Sequence, residues 1–175
     1  MRVTLFIATS LDGYIAGPDD DLSWLFTDGD YGFTDFLSEQ DALVMGRGTY
    51  DVIRTFGDWP YPGKKVVVVS RTEGIKTDTP NTTAYGGELI ELVEQLRDEG
   101  AEKVWLVGGG ELVRSFLSEG LLDQIVVSLH PVLLGTGVPL FPDGFPRTLL
   151  HLEEAESYES GLVQITYSVV GPTEE

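Results

Sequence analysis

The sequence predicts an α/β domain built on a mixed, mostly parallel sheet of about eight strands flanked by about four helices, with antiparallel strands at the C-terminus. Three observations predict it. Short apolar, β-branched runs alternate with helical segments as far as Gly120. Glycine-led turns join several strands directly to the helix that follows. Beyond Gly120 no helical period recurs, and two long runs read as an antiparallel pair. With 175 residues, no internal repeat, no low-complexity tract and no linker, the chain reads as a single domain over residues 1–171 with a frayed tail at 172–175.

Arg2–Ser10 (RVTLFIATS) is a mostly apolar run and predicts a buried strand. Leu11-Asp12-Gly13 and Gly17-Pro18-Asp19 carry turn chemistry, so Leu11–Asp30 reads as one long loop. Phe33–Glu39 forms a short helix with Phe33, Phe36 and Leu37 on one face, and Ala42–Met45 a short strand stopped by Gly46. Thr49–Thr55 is a second short helix, ended by Gly57, Pro60 and Pro62. Lys65–Ser70 (KVVVVS) has the composition of a core strand, and Thr82–Tyr85 is a brief one. In the helix Gly87–Glu99, Leu89, Leu92, Val93 and Leu96 repeat at helical spacing before Gly100 stops it. Lys103–Val107 is a strand, Glu111–Ser118 a helix and Gln124–His130 a strand; Leu149–Glu156 and Val163–Val170 are the closing pair.

Composition excludes several classes. A chain that is 42% hydrophobic can bury a core and is not disordered. Zero Cys rules out disulfide scaffolds, thiolate metal sites and cysteine nucleophiles. No apolar run approaches the roughly 18–20 residues of a membrane span, and no signal-peptide pattern opens the chain, so a cytoplasmic protein is expected. Eleven Lys and Arg against 29 Asp and Glu give a net charge of −18, which repels nucleic acid and anionic lipid. Solubility and adaptation to high salt both account for that acidity. The local exception is residues 47–71, where Arg47, Arg54, Lys64, Lys65 and Arg71 face only Asp51 and Asp58. Such an island suits a small polyanion, or cations spent on helix ends and neighbouring carboxylates.

Three strand ends carry phosphate-friendly residues. Val107-Gly108-Gly109-Gly110-Glu111-Leu112 runs a strand through three glycines into a helix start, where backbone N–H groups and the absent Cβ atoms favour an anion. It matches neither the dinucleotide fingerprint nor a P-loop. Gly46-Arg47-Gly48-Thr49 repeats the arrangement with a guanidinium and a hydroxyl, and Ser70-Arg71-Thr72 follows a core strand. Ligands of open α/β sheets bind outside the carboxyl ends of the strands, and a dinucleotide is long enough to touch several.

Taken in order, Ala8-Thr9-Ser10-Leu11-Asp12-Gly13-Tyr14-Ile15-Ala16, Met45-Gly46-Arg47-Gly48-Thr49-Tyr50, Val68-Val69-Ser70-Arg71-Thr72, Val107–Leu112, and His130–Gly137 with Pro139-Leu140-Phe141 resemble the dihydrofolate reductase-like fold. The likeness is to the reductase domain of the riboflavin-biosynthesis deaminase–reductase and its stand-alone relatives. It implies NADPH as cofactor and hydride transfer to a pyrimidine- or pteridine-type small molecule. Ala8 and Ile15 would meet the nicotinamide, while Gly46, Arg47, Gly48 and Thr49 would hold phosphates. Ser70, Arg71 and Thr72 would clamp the adenosine 2′-phosphate. Val107, Gly108, Gly109, Gly110, Glu111 and Leu112 would line the pyrophosphate, with a cis peptide between Gly108 and Gly109. Relatives commonly pair, so a homodimer is expected.

The sequence departs from the resemblance on the substrate side. The riboflavin-pathway reductases carry a phosphate-binding Lys where Tyr14 stands, and Val113 stands where dihydrofolate reductases often carry Tyr. Asp12, Asp30 and Asp35 are the available acids, and none matches the buried carboxylate of the dihydrofolate reductases. Asp12 can bind substrate or cap the turn before Gly13; Trp24 can line the substrate mouth or fold onto its loop; His130 can reach the site or end a strand. His151 reads as structural and Asp19-Asp20-Asp21 as a solvated face, with no metal ligand set apparent. The alternative to a reductase is a nucleotide-binding protein of the same fold without efficient turnover.

Overall fold

Period-two burial on the central strands builds two cores from one sheet. The structure, a computed structural model, describes residues 1–72 and 74–172. Its strands are β1 (Arg2–Ser10), β2 (Tyr14–Ala16), β3 (Ala42–Gly46), β4 (Lys65–Val69), β5 (Thr82–Tyr85), β6 (Lys103–Gly108), β7 (Gln124–His130), β8 (Val138–Pro139), β9 (Thr148–Ser157) and β10 (Val163–Pro172). Its helices are α1 (Phe33–Glu39), α2 (Arg47–Ile53), α3 (Leu89–Asp98) and α4 (Gly110–Ser118), with short 3₁₀ turns at Pro18–Asp20 and Arg54–Phe56.

Eight strands form one sheet in the order β5-β4-β3-β6-β1-β7-β10-β9. The first six are mutually parallel, β10 is antiparallel to β7, and β9 is antiparallel to β10. Val3, Leu5, Val44, Val67, Val104 and Leu106 point to the face covered by α3 and α4, where Leu92, Leu96, Val113 and Phe116 meet them. The alternate residues Leu43, Met45, Val66, Val68, Trp105 and Val107 point to the face of α1 and α2. Burial on both faces explains why these strands are continuous Val/Leu runs, whereas β9, exposed along nearly its whole length, mixes polar and apolar residues.

An aromatic cluster seats α1. Phe6 stacks on Phe36 at 4.6 Å between ring centroids, and Trp105 meets Phe33 at 5.3 Å edge-on. The Trp105 Nε1–H donates to the Phe6 carbonyl at 3.0 Å, so the indole is anchored as well as packed. Lys64 Nζ donates to the carbonyls of Ser38 and Gln40 and closes the C-terminal end of the same helix.

The expected elements form with ends shifted by a few residues. Helix α2 begins at Arg47, two residues before its expected start, because Gly46 ends β3 in extended conformation and acts as its N-cap. Strand β10 runs to Pro172, which pairs with Thr148, so the strand takes in the first residue of the expected tail. The rest of that tail, 173–175, lies outside the described residues. The expected Leu11–Asp30 loop contains β2, which pairs with β8 more than 120 residues later. Three residues have too short a period to show, and their partner is distant.

Where β6 enters α4 the backbone leaves no room for a side chain. A Cβ on Gly110 would overlap the Pro139 carbonyl oxygen and crowd Leu140 and Pro142. Gly110→Ala is therefore expected to cost about 1–3 kcal/mol, read as a thermal midpoint lowered by several degrees in a calorimetric scan.

Candidate functional site

Parallel pairing puts the carboxyl ends of β1, β3, β4, β5, β6 and β7 along one edge of the sheet. A cleft of about 1170 Å³ opens along that edge. It runs past Ser70 and Arg71 beyond β4, Arg47 and Thr49 at the start of α2, Gly109 and Gly110 at the start of α4, and Ala8 and Ile15.

Of the residues singled out in the sequence, the cleft brings together Ala8, Ile15, Gly46, Arg47, Gly48, Thr49, Ser70, Arg71, Thr72, Val107, Gly109, Gly110, Glu111, Leu112, Asp30 and His130. Asp12, Tyr14, Trp24 and Gly108 are not among its lining residues. The Gly108–Gly109 peptide is cis. A Cβ on Gly109 would press to 3.3 Å from Thr49 Oγ1, and one on Gly48 would meet nothing within 4 Å, so backbone faces the cleft at both starts. No side chain caps α2 or α4.

The basic island divides. Lys64 holds α1, Lys65 pairs with Glu99, and Arg54 pairs with Asp51 and Asp78. Arg47 and Arg71 are the two that reach the cleft, Arg47 with its Nε 3.4 Å from Asp51 Oδ2. Both Arg47 and Asp51 are about half exposed, so that contact holds the guanidinium weakly. Beyond β4, Ser70 N–H donates to the Tyr85 carbonyl and Ser70 Oγ accepts from Thr72 N–H, which fixes the turn carrying Arg71.

The candidate acids are engaged elsewhere. Asp12 accepts from Ser10 Oγ at 2.7 Å, Gly135 N–H at 2.7 Å and Leu134 N–H at 3.1 Å, tying the turn after β1 to the loop after β7. Asp30 accepts from Thr34 Oγ1 at 2.5 Å and from Thr34 N–H, serving the first turn of α1. The Ser10 hydroxyl, above all, holds the Asp12 carboxyl below its ordinary range, and the Thr34 hydroxyl and N–H do the same for Asp30. Both are ionised at neutral pH and accept hydrogen bonds as carboxylates. Asp35, on α1, is outside the cleft lining.

His130 is buried with both ring nitrogens used. Nδ1 lies 3.0 Å from the Ser128 carbonyl and Nε2 accepts from Phe26 N–H at 3.3 Å, which fits the tautomer protonated at Nδ1. Trp24 and Phe26 pack their rings on the imidazole at 5.2 and 4.9 Å. Trp24 thus folds onto its own loop, its Nε1–H donating to the Asp21 carbonyl. Among the described residues no His, Asp and Glu side chains gather as a metal ligand set.

Sequence reasoning missed the wall formed by Leu22, Leu25, Phe26 and Tyr31. Tyr31 is held by Asp28 and Ser160 at its hydroxyl and by Gln164 Nε2 at its carbonyl, contacts that span up to 133 residues. The cluster of Trp, Leu, Phe and Tyr between residues 22 and 31 is its only local signal.

The sequence profile of the RibD C-terminal domain matches residues 1–164. The chain belongs to the RibD C-terminal domain family. It is 34% identical to the uncharacterized Bacillus subtilis protein YyaP, over 95% of this chain and 94% of that one. A Shewanella sp. PV-4 structure named for riboflavin biosynthesis superposes with a TM-score of 0.86 at 35% identity, covering 97% of this chain and 99% of that chain. The Thermotoga maritima deaminase/5-amino-6-(5-phosphoribosylamino)uracil reductase shares the fold at a TM-score of 0.74 and 15% identity, over 96% of this chain and 56% of that one. The RibD C-terminal domain fold is dihydrofolate reductase-like, with the mixed sheet and antiparallel C-terminal strands expected.

Replacing the imidazole tests the loop anchor. His130→Ala removes the acceptor of the Phe26 N–H and is expected to destabilise by about 1–3 kcal/mol, with faster amide exchange at Phe26 than in α3 or α4.

Proposed function

We propose that this RibD-like domain is an NADPH-dependent reductase acting on a pyrimidine- or pteridine-type small molecule. The observation that carries the reading is one continuous cleft lined in sequence by Arg71, Arg47, Gly109 and the β1–β2 residues. Glycine backbone at Gly48 and Gly109, two arginines and the Ser70, Thr49 and Thr72 hydroxyls match the chemistry of an extended polyphosphate nucleotide.

When bound, NADPH supplies a hydride from its nicotinamide ring. In this reading Ser70, Arg71 and Thr72 hold the 2′-phosphate, a charged fork that favours NADPH over NADH. Arg47, Gly48, Thr49 and the N–H groups at the start of α4 hold the bridging phosphates, and the backbones of Ala8 and Ile15 orient the nicotinamide carboxamide. Phe6, Leu25, Phe26 and Phe33 exclude water from the reacting end. Neither Asp12 nor Asp30 is set up as an acid, so the proton that accompanies the hydride comes from solvent. Arg71→Ala is expected to weaken NADPH binding about tenfold to a hundredfold while leaving NADH binding unchanged, measured by quenching of Trp105 fluorescence. Equal loss for both cofactors would remove the clamp.

The engaged acids also favour a second reading, a cofactor-binding protein without efficient turnover. Saturable NADPH binding with no loss of NADPH absorbance across pyrimidines and pteridines is its signature.

The partner and location fit a cytoplasmic homodimer. Strand β9 is an open sheet edge of ten residues, and Leu149, Leu150, Leu152 and Val170 are exposed on it and its neighbour. Leu152→Glu is expected to shift the species seen by light scattering from dimer to monomer. No helix among the described residues is long and apolar enough to cross a membrane.

A further inference from the structure

Charge is unevenly divided along the cleft. Three basic side chains line it, Arg47, Arg71 and Arg114, and all come from the β3, β4 and β6 side of the sheet, where Glu88, Glu111 and Glu119 line it too. Arg114 pairs with Glu111 at 2.6 Å and donates toward the Asp143 carbonyl. The other eight Lys and Arg residues lie outside the lining, and the undescribed residues, Glu73 and 173–175, include no base. On the β1–β7–β10 side the lining charges are Asp20 and Asp30, both carboxylates, among Leu22, Leu25, Phe26 and Leu162.

We infer that this end of the cleft takes an uncharged planar ring compound and rejects its phosphorylated form, an inference that rests on the reductase reading above. A bound phosphomonoester needs cationic or N–H partners for nearly two negative charges. Here the nearest charges are of the same sign. The first turn of α1 is closed to it as well, because Asp30 already accepts the Thr34 N–H. Position 14, in β2, holds Tyr14 paired opposite Pro139 and outside the lining, so no cation enters from there. An apolar, aromatic wall suits the face of a conjugated ring, whose polar edge can meet the hydroxyl of Ser128. The uracil reductase whose fold it shares is named for a phosphorylated substrate, so the two proteins would divide by substrate charge.

The test uses protein saturated with NADP⁺ and two fluorescent probes, 6-hydroxymethylpterin and its phosphate monoester, titrated at low and high salt. The neutral pterin is expected to bind about tenfold more tightly than the ester at low salt, with the gap narrowing as salt screens the carboxylates. Asp20→Asn, and separately Asp30→Asn, which keeps an oxygen acceptor for Thr34, are expected to tighten the ester about threefold and leave the neutral pterin within about twofold. An ester that binds as tightly as the neutral probe, or a gap unmoved by both variants, overturns the inference. So does failure of both probes to bind at roughly 1 mM while NADP⁺ still quenches Trp105. Absence of that quenching instead refutes the cofactor reading, and the probe pair titrated alone then decides the charge preference by the same criteria.

Discussion

The pairing of β1 with both β6 and β7 is the constraint on which the molecule depends. It is parallel on each side, in register from Arg2↔Lys103 on one edge and from Thr4↔Gln124 to Ser10↔His130 on the other. Because both pairings are parallel, the strand ends on either side of β1 arrive at the same edge. A slip of one residue would turn Val3 and Leu5 away from Phe116 and Ile125 and exchange the two cores. The start of the pairing is fixed independently, by Asp123, whose carboxylate accepts the Val3 N–H at 2.7 Å, and by the Asp123 N–H donating to the Val3 carbonyl.

From that edge the closeness of β6–α4 to β8 follows. Gly110 touches Pro139 with no space for a Cβ, and Gly137 likewise meets the Ala16 carbonyl. These two contacts bind the loop after β7 to the segments that start and end the cleft. Asp12 adds the third tie through Leu134 and Gly135. The glycine triplet therefore has two roles. Gly110 is required by packing, whereas Gly109 turns its backbone to the cleft, and these roles cannot be separated in the sequence, where all three glycines look alike.

Much of the fold was legible because the central strands bury both faces. Val66–Val69, Val104–Val107 and the α3 stripe of Leu89, Leu92, Val93 and Leu96 each carry their period within a few residues. The glycine-led part of the cleft lining was legible for the same reason, since strand, glycine and helix start are contiguous there. What escaped was built from distant pieces. Tyr31 reaches Ser160 and Gln164, Phe26 reaches His130, and β2 reaches β8. None of these leaves a local period or a motif. The engagement of the candidate acids was hidden for a related reason, since a carboxylate in a turn looks the same in sequence whether or not it accepts a backbone N–H. Asp12 and Asp30 both do.

The topology also explains why the two ends of the cleft differ chemically. Strands β3, β5 and β6 lead within a few residues to α2, α3 and α4, so that side offers helix starts, glycine backbone and short polar side chains. Strands β1 and β7 lead instead to loops that cross to β2 and β8, and their neighbours β10 and β9 close as a hairpin. Loops present side chains where helix starts present N–H groups, so the wall there is Leu22, Leu25, Phe26 and Tyr31. In a chain of net charge −18, a negative ligand is tolerated only where the backbone and local arginines overcome the general field. Among the lining residues, arginines and helix starts are found on the β3–β4–β6 side. The polyanionic cofactor and the neutral ring proposed for opposite ends of the cleft would thus both follow from which strands are followed by helices.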